Sequence, residues 1–251
     1  MRPVVLSGRL RTVAGMVTSG NRVCDVGCDH GFVPIYLVQQ GISPKVLAMD
    51  LRVGPLGAAK EHVTAYGLGG QIETRLSDGL HNYNKGEADT LICAGMGGGL
   101  MMRILKEDRE KTDSFRELIL QPQSEIEGFR RYLRENGYQI LDEEMLVEDG
   151  KFYQVIQAAP PGGASSGIAR GNLLESADMP GEVLCKLMDR YGPMILQKKT
   201  PVFLSFLERE AAVYEEILVN LQEQGMAEDK RRKRYAQVKA LLEENRLAGT
   251  L

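Results

Sequence analysis

The chain has 251 residues, of which 43% are hydrophobic and 26% charged, and this length allows one large α/β domain or a core domain with a smaller appendage. No apolar run approaches the roughly 18 residues that a membrane-spanning helix needs, so we expect no such helix. The formal net charge of −3 at pH 7 gives no global sign of nucleic-acid binding, although a basic patch can still form locally.

The N-terminal segment reads as a short amphipathic helix. Apolar residues recur at helical spacing from Leu6 to Val17, with Arg9 and Arg11 on other faces. Both arginines are candidate substrate contacts, and an ordinary solvated polar face is the alternative. The apolar stretch in residues 1–8 is too short for a secretory signal. The four cysteines occur mostly in apolar or turn contexts, which fits reduced thiols and predicts a cytoplasmic location.

The stretch around which the chain is organised is residues 23–32, which read V-C-D-V-G-C-D-H-G-F. A buried strand, a glycine turn and an apolar helix are the first unit of a nucleotide-binding α/β fold. Asp29 stands where the dinucleotide fingerprint has its middle glycine, and a carboxylate there suits a ligand with positive charge, such as S-adenosyl-L-methionine. Two alternatives are a turn without a ligand and a metal site at Cys24, Cys28 and His30. Strand alternation disfavours the metal site because it turns Cys24 into the core.

Two further strands each lead into an acidic residue. The strand 45–50 ends at Asp50, whose carboxylate can accept hydrogen bonds from both ribose hydroxyls. The alternative is that Asp50 only caps the helix 53–66. The strand 71–76 leads into Asp78, which can accept a hydrogen bond from an adenine amino group, or can simply form an Asx turn.

The fourth strand, residues 88–94, runs into G-M-G-G-G at residues 95–99. So many glycines cost conformational entropy unless something approaches the backbone closely. A fifth strand, residues 118–120, is followed by Gln121, Pro122 and a helix over 125–136. We expect the glycine loop, Gln121 and Pro122 to line a ligand pocket.

The rhythm then changes, because the strand-like segments 138–147 and 151–158 are too close together for a crossover helix and predict an antiparallel hairpin. Five strands with crossover helices, closed by this hairpin, match the Rossmann-like sheet of class I methyltransferases, which is parallel except for an antiparallel last strand. We expect residues 1–160 to form this α/β domain. Residues 160–167 read as a linker.

The second predicted domain, residues 165–251, is helical. Apolar residues at alternating spacings of three and four predict an antiparallel helical hairpin with a coiled-coil seam, broken around Gly225. The seam residues are Leu204, Leu207, Ala211, Tyr214, Leu218, Leu221, Tyr235, Val238 and Leu242. A basic run over 230–234 opens the second helix. Such a run is usually a solvated face, and contact with RNA phosphates is the sharper interpretation.

Three motifs carry a resemblance to a known family: V-C-D-V-G-C-D-H-G-F-V-P at residues 23–34, A-G-M-G-G at 94–98 and L-I-L-Q-P at 118–122. They resemble the bacterial tRNA (adenine-N1)-methyltransferases that modify adenosine 22, over nearly the whole chain. The resemblance implies S-adenosyl-L-methionine as methyl donor, tRNA as substrate, and no metal.

The candidate site residues fall into three groups. Asp29 is the candidate catalytic carboxylate, with a structural role in the turn as the alternative. The candidate cofactor contacts are Asp25, Gly27, Asp29, His30, Gly31, Asp50, Leu51, Asp78, Gly79, Ala94, Gly95 and Met96. The candidate substrate contacts are Arg9, Arg11, Gly97, Gln121, Pro122, Lys230, Arg231 and Arg234.

The chain departs from the family pattern at Cys28, Asp50 and Gln123, where members often have Ser, Glu and Asn. It also lacks the Pro-Pro-Tyr type of motif that serves the exocyclic amine in other adenine methyltransferases, which argues against N6 as the methylated atom. The alternative functions are a non-catalytic RNA-binding protein with a methyltransferase fold and an NAD-dependent oxidoreductase.

Overall fold

The computed structural model describes residues 3–162, 180–224 and 229–251. The chain divides into two compact units, with the division between residues 169 and 170. The predicted boundary between domains 1–160 and 165–251 involves residues 163–167 of the predicted linker, which lie outside the described residues, as does the predicted break at Gly225. The two units are described separately below.

A seven-stranded mixed sheet forms the centre of the first unit, in the order β3-β2-β1-β4-β5-β7-β6. The first five strands are parallel, and β7 runs antiparallel to both β5 and β6, which confirms the predicted methyltransferase-type sheet. The strands are β1 (Val23–Val26), β2 (Val46–Asp50), β3 (Ile72–Leu76), β4 (Thr90–Met96), β5 (Glu117–Pro122), β6 (Gln139–Glu148) and β7 (Lys151–Ala159).

Helices cover both faces of this sheet, as parallel strands buried on both faces require. Side chains from α1, α2 and α3 pack on one face and side chains from α4 and α6 on the other. The helices are α1 (Gly8–Gly15), α2 (Phe32–Gln39), α3 (Val53–Ala65), α4 (Gly98–Glu107), α5 (Arg109–Thr112) and α6 (Ile126–Glu135). The predicted N-terminal helix is present, with Ser7 as its N-cap and Val13 and Ala14 fully buried.

One predicted feature of the sheet is wrong, because no crossover helix connects β3 to β4. Residues 77–89 form turns instead. Tyr83 in this segment is buried and stacks on Phe115 with ring centroids 4.7 Å apart. The ring supplies the apolar cover that a helix would otherwise give to this part of the sheet, together with buried Leu80.

A buried ion pair fastens the terminal hairpin to α6. Arg130 Nε donates to Glu143 Oε1 at 2.7 Å, and Arg130 also donates to Gln154 Oε1. The side chains of Arg130 and Glu143 are 1% and 0% exposed. Because both charges are removed from water, each depends on the other for compensation.

The second unit contains four helices within its described residues: α7 (Gly181–Tyr191), α8 (Pro193–Lys198), α9 (Pro201–Glu223) and α10 (Asp229–Thr250). The two long helices, α9 and α10, pack antiparallel. Asn245 Nδ2 donates to Leu207 O at 3.1 Å near one end, and Gln222 Nε2 lies 3.0 Å from Tyr235 OH near the other. The predicted helical hairpin is therefore confirmed.

The predicted seam of this hairpin needs one correction, at its first residue. Leu204 is 42% exposed, whereas Phe203 and Leu207 are buried. Phe203 is turned toward α7, where its ring meets Tyr191 edge-on at 5.9 Å. The apolar face of α9 therefore begins at Phe203, because this face packs against α7 as well as α10. In α10, Val238 and Leu242 are buried as predicted.

Candidate active site

A cavity of about 490 Å³ opens at the carboxyl ends of β1, β2, β3 and β4, the edge at which open α/β sheets bind ligands. Its walls come from the loops that follow these strands and from Arg9 on α1. The predicted site residues that line it are Arg9, Asp25, Gly27, Asp29, His30, Asp50, Leu51, Asp78, Gly79, Ala94, Gly95 and Met96. The structure thus brings together residues that are up to 87 positions apart in the sequence.

Five predicted contacts of the first unit do not line this cavity: Gly31, Arg11, Gly97, Gln121 and Pro122. Gly31 is the N-cap of α2 with φ +75°, and a Cβ there would lie 3.0 Å from Ala59 Cβ, so its role is close packing of α2 on α3. Arg11 is exposed on α1. Lys230, Arg231 and Arg234 lie in the second unit, on α10.

The turn after β1 has a specific backbone conformation. Gly27 and Asp29 have φ values of +78° and +50°. Asp is among the non-glycine residues that adopt the left-handed region most readily. The N–H groups of Gly27 and Cys28 donate to Met49 O, and the N–H of Asp29 donates to Asp50 Oδ2 at 3.1 Å. These bonds tie the turn to the end of β2.

The turn presents the Asp29 carboxylate at the mouth of the cavity. This side chain is 60% exposed, with its oxygens 3.8 Å from His30 Nε2 and 3.8 Å from Arg52 Nη2. The Asp29 carboxylate is therefore not engaged in a close ion pair, and its lone pairs can accept hydrogen bonds. A ligand that enters the cavity can use them.

Asp50 lies deeper, with 5% of its surface exposed. Its Oδ2 accepts from the N–H of Asp29, and its Oδ1 accepts from the N–H of Arg52 at 2.8 Å. The N-cap of α3 is Arg52, without a side-chain capping bond, so the alternative that Asp50 only caps this helix is wrong. Ribose binding by Asp50 stays a prediction.

Asp78 meets a partner that the sequence did not predict. Arg103 on α4 donates to both carboxylate oxygens of Asp78, at 2.9 and 3.4 Å. Each carboxylate oxygen has a second lone pair, so Asp78 can still accept a hydrogen bond from an adenine amino group. Other cavity residues that sequence reasoning missed are Phe32, Arg52, Leu100, Arg103 and Ile104.

Most of the glycine loop at residues 95–99 packs against another part of the protein. Gly95, with φ +79°, lines the cavity as predicted. A Cβ on Gly98 would lie 2.7 Å from Ser124 O, and the N–H of Gly98 donates to this oxygen. The N–H of Gly99 donates to Glu125 Oε2 at 3.0 Å. What approaches the backbone of Gly98 and Gly99 in the structure is therefore the loop between β5 and α6.

Gln121 is fully buried behind the cavity wall, where its Oε1 accepts from Arg9 Nη1 at 2.7 Å and from the N–H of Gly95 at 3.2 Å. The Arg9 guanidinium also lies 5.6 Å from the centroid of the Tyr153 ring. Gln121 thus positions Arg9 and Gly95 and does not reach the cavity. Gln123, two residues later, does line it.

Asp25 is the acid with the most perturbed titration. Burial, and then the neighbouring Asp50 carboxylate, raise the pKa of Asp25 from 3.8 to about 7. A cationic ligand favours the ionised form. Lowering the pH from about 8 to about 6 is therefore expected to weaken S-adenosyl-L-methionine binding close to tenfold, since the free protein must lose a proton to bind.

Calorimetry on the native protein and on the Asp25→Asn variant, at both pH values, measures this effect. The ratio of the two dissociation constants cancels any titration of the ligand, and a ratio that does not change with pH would contradict the role of Asp25. The pH dependence that Asp25 gives to the free energy of unfolding has the opposite sign to that of most acids. Because the folded pKa of Asp25 is raised, its contribution to the free energy of unfolding of the empty protein falls as the pH rises from about 4 to about 7.

The cysteines near the turn are neutral thiols in the core. Burial raises the pKa of both Cys24 and Cys28 well above its usual range. Cys24 is fully buried, as strand alternation predicts. Within residues 3–162, 180–224 and 229–251, no group of three or more His, Cys, Asp or Glu side chains is placed to hold a metal ion. None of the helices in these ranges is both long and apolar enough to cross a membrane.

Comparison with known proteins places these features in a family. Residues 6–156 match the model of a family described as a methyltransferase domain. The tRNA (adenine(22)-N(1))-methyltransferase of Bacillus subtilis (strain 168) is 34% identical over 223 residues, which cover 86% of this chain and 87% of that protein.

Solved structures agree over nearly the full length. The crystal structure of the B. subtilis M1A22 tRNA methyltransferase TrmK superposes with a TM-score of 0.81 at 30% identity, covering 98% of this chain and 99% of that one. Streptococcus pneumoniae Sp1610, a putative tRNA (m1A22) methyltransferase in complex with S-adenosyl-L-methionine, superposes with a TM-score of 0.79 at 28% identity, covering 98% of this chain and 100% of that one.

Proposed function

The chain belongs to the bacterial tRNA (adenine(22)-N(1))-methyltransferase family, and from this premise we propose that it transfers a methyl group from S-adenosyl-L-methionine to N1 of adenosine 22 in tRNA. The N1 lone pair attacks the methyl carbon while the carbon–sulfur bond breaks and its electron pair stays on sulfur. The products are S-adenosylhomocysteine and an N1-methyladenine cation. The observation that carries the proposal is the cavity lined by four acids, in a chain that aligns with relatives of this activity over most of its length.

The residues present fit this cofactor. The N-terminus of α2 offers N–H groups to the methionine carboxylate, whereas the N–H groups of Gly27, Cys28 and Asp29 already donate within the protein. Asp25 and Asp29 complement the ammonium and sulfonium charges. We assign Asp50, the last residue of β2, to the ribose and Asp78, two residues after β3, to the adenine, because both line the cavity and β2 and β3 lie successively further from β1 in the sheet. A pyrophosphate, by contrast, would meet repulsion from Asp29, whose carboxylate has no cationic partner closer than 3.8 Å.

Methyl transfer depends mainly on the alignment of the reacting atoms, because N1 has an in-plane lone pair and needs no activation by a strong base. Holding N1, methyl and sulfur in a line in a water-excluded cavity can supply roughly 7–11 kcal/mol of the barrier. As the bond forms, positive charge develops on the adenine ring. The exposed Asp29 carboxylate at the cavity mouth is placed to stabilise this charge.

The target base must also be brought into the cavity. In a folded tRNA it is stacked or paired, and flipping it out costs a few kcal/mol. We propose that the wall formed by Arg9, Gly95 and Gln123 receives the base. Arg9 is held there by Gln121 and faces the cavity, so its remaining N–H groups can donate to the base or to its phosphate. Since the substrate is tRNA, we propose that the protein works in the cytoplasm.

Two experiments test the proposal against its rivals. Transfer of a labelled methyl group from S-adenosyl-L-methionine to bulk tRNA is expected, and its absence would favour a non-catalytic RNA-binding protein. A thermal shift with S-adenosylhomocysteine but not with NAD is also expected. Stabilisation by NAD alone would favour the oxidoreductase.

The basic run at the start of α10 gives a further prediction. Lys230 and Arg234 are exposed, whereas Arg231 Nη1 donates to Gln224 O and Lys233 pairs with Asp229. Replacing Lys230 and Arg234 by Gln is expected to weaken tRNA binding and to flatten the plot of log affinity against log salt concentration. Each lost phosphate contact should reduce the slope by about 0.7–0.9.

A matched control replaces the exposed Lys45 and Lys85 of the first unit by Gln, which changes the net charge equally. Lys45 precedes β2, at the sheet edge opposite the cavity. If both double variants lose the same affinity, the basic run acts only through net charge and makes no specific phosphate contacts.

A further inference from the structure

Three aromatic rings cluster beside the cavity, two of them exposed and that of His62 half-buried, and we call His30, Phe32 and His62 the aromatic platform. The rings of Phe32 and His62 are stacked, with centroids 4.8 Å apart and an interplanar angle of 26°. The ring of His30 lies 6.2 Å from Phe32 and 6.1 Å from His62. The three rings therefore form one cluster, in which Phe32 and His62 each cover one face of the other.

The platform is continuous with the proposed active site. His30 and Phe32 both line the cavity. Phe32 is 38% exposed and half of the His30 side chain is accessible, although Val33, Ile35 and Leu37 on the same helix are buried. A single exposed hydrophobic residue is ordinary on a protein surface. A stack of rings at the entrance of a ligand cavity is a surface that a planar ligand can cover.

The rings are held in place before any ligand binds. His62 Nδ1 lies 2.9 Å from His30 O, and because a carbonyl oxygen only accepts, Nδ1 carries the proton and donates. The close contact of Gly31 with Ala59 fixes α3 against the turn that carries His30. A preorganised surface loses little conformational entropy when a ligand stacks on it.

The chemistry of this surface fits a nucleobase. Proteins that recognise unpaired RNA stack its bases on Phe, Tyr, Trp or His rings and neutralise its phosphates with cations. Arg52, with 70% of its side chain exposed, lines the same cavity, and its Nη2 lies 3.8 Å from Asp29. Aromatic rings and an exposed guanidinium thus occur together at the entrance through which the target base must pass.

We propose that the aromatic platform stacks an unpaired tRNA nucleobase that flanks the target adenosine, while Arg52 meets a phosphate beside it. The inference rests on the proposed function and deepens it. When the target base leaves the helix stack, its neighbour loses a stacking partner. The platform replaces this partner, so it lowers the cost of flipping and holds the flanking nucleotide in register.

The test uses the full-length Phe32→Ala and His62→Ala variants, with Phe32→Trp as the conservative replacement. Each Ala variant is expected to raise the tRNA dissociation constant about 5- to 150-fold, as the loss of one stacked base does. Phe32→Trp should stay near the native value. The affinity of His62→Ala for S-adenosylhomocysteine should change less than about twofold, because His62 does not line the cavity. Phe32→Leu, which keeps an apolar side chain without an aromatic face, replaces Phe32→Ala if the latter fails to fold.

A second readout locates the stacked base. A tRNA with 2-aminopurine next to the target adenosine should stay quenched on saturation with the native protein, because the platform replaces the lost stacking partner, and should gain fluorescence on saturation with Phe32→Ala. Val147→Ala, which truncates another exposed apolar side chain of the same unit, should behave like the native protein. Unchanged tRNA affinity in the Ala variants, or a loss of S-adenosylhomocysteine affinity in His62→Ala equal to its loss of tRNA affinity, would overturn the proposal. A native protein that methylates no tRNA would instead refute the proposed function.

Discussion

Replacing Asp29 by asparagine is expected to lower kcat for tRNA methylation by about 10²–10³-fold, the loss seen when one preorganised charge-stabilising group is removed from an active site. The structure singles out this residue because its carboxylate is 60% exposed at the cavity mouth and has no ion-pair partner closer than 3.8 Å. The carboxylate can therefore face the positive charge that develops on the adenine ring.

Asparagine is the informative replacement because it tolerates the left-handed backbone conformation that residue 29 adopts, at φ +50°. It also keeps the N–H that donates to Asp50. Cofactor affinity is expected to fall less than tenfold, since the lost charge is largely solvent-exposed and screened. Single-turnover assays at saturating S-adenosyl-L-methionine separate the two quantities.

Asp149→Asn is the matched control for this experiment. Asp149 also has a positive φ, +49°, and is exposed, but it lies in the turn between β6 and β7 and does not line the cavity. Its replacement should leave kcat unchanged. If Asp29→Asn also turns over at the native rate, the role of Asp29 is structural and the charge-stabilisation argument is wrong.

Replacing Arg130 by alanine is expected to reduce the free energy of unfolding of the first unit by about 3–5 kcal/mol, the cost of leaving a buried charge without its partner. Glu143, which is fully buried, would lose the guanidinium that lies 2.7 Å away. Urea denaturation followed by circular dichroism measures the change, because the chain has no Trp to report by fluorescence.

Two further variants serve as controls for the Arg130→Ala experiment. Arg131→Ala, on the same helix, removes a 47% exposed side chain whose ion pair with Glu127 is one turn away, and should cost less than about 1 kcal/mol. The double variant Arg130→Met/Glu143→Leu should recover much of the loss, because it removes both charges together. If Arg130→Ala is as mild as Arg131→Ala, water reaches Glu143 and the pair is not buried in solution.

The order of strands and helices could be predicted because each apolar strand ends at glycines or acids that mark the following turn. Thus Gly27 and Asp50 were placed correctly at the carboxyl ends of β1 and β2. The structure of the segment between β3 and β4 could not be predicted in this way. A helix was expected there, but the buried Tyr83 ring covers the sheet instead. Nothing in the local pattern around Tyr83 distinguishes a core plug from an ordinary turn residue.

The acids of the site were predictable for the same reason, whereas the partners of its arginines were not. Arg103 reaches Asp78 across 25 residues, and Arg9 reaches Gln121 across 112. Such pairs depend on how helices settle on the sheet, which the periodicity of one segment does not encode. The explanation of the glycines at residues 97–99, close approach of another group to the backbone, was correct. The approaching groups are Ser124 and Glu125.

The central claim is that the methyl group goes to N1 of adenosine 22, and nucleoside mass spectrometry of the methylated tRNA tests it most directly. The native protein is incubated with S-adenosyl-L-methionine and a tRNA transcript, or with the same transcript carrying guanosine at position 22. We expect N1-methyladenosine, identified against chromatographic standards, in the first transcript and none in the second. N6-methyladenosine, or equal methylation of both transcripts, would contradict the account.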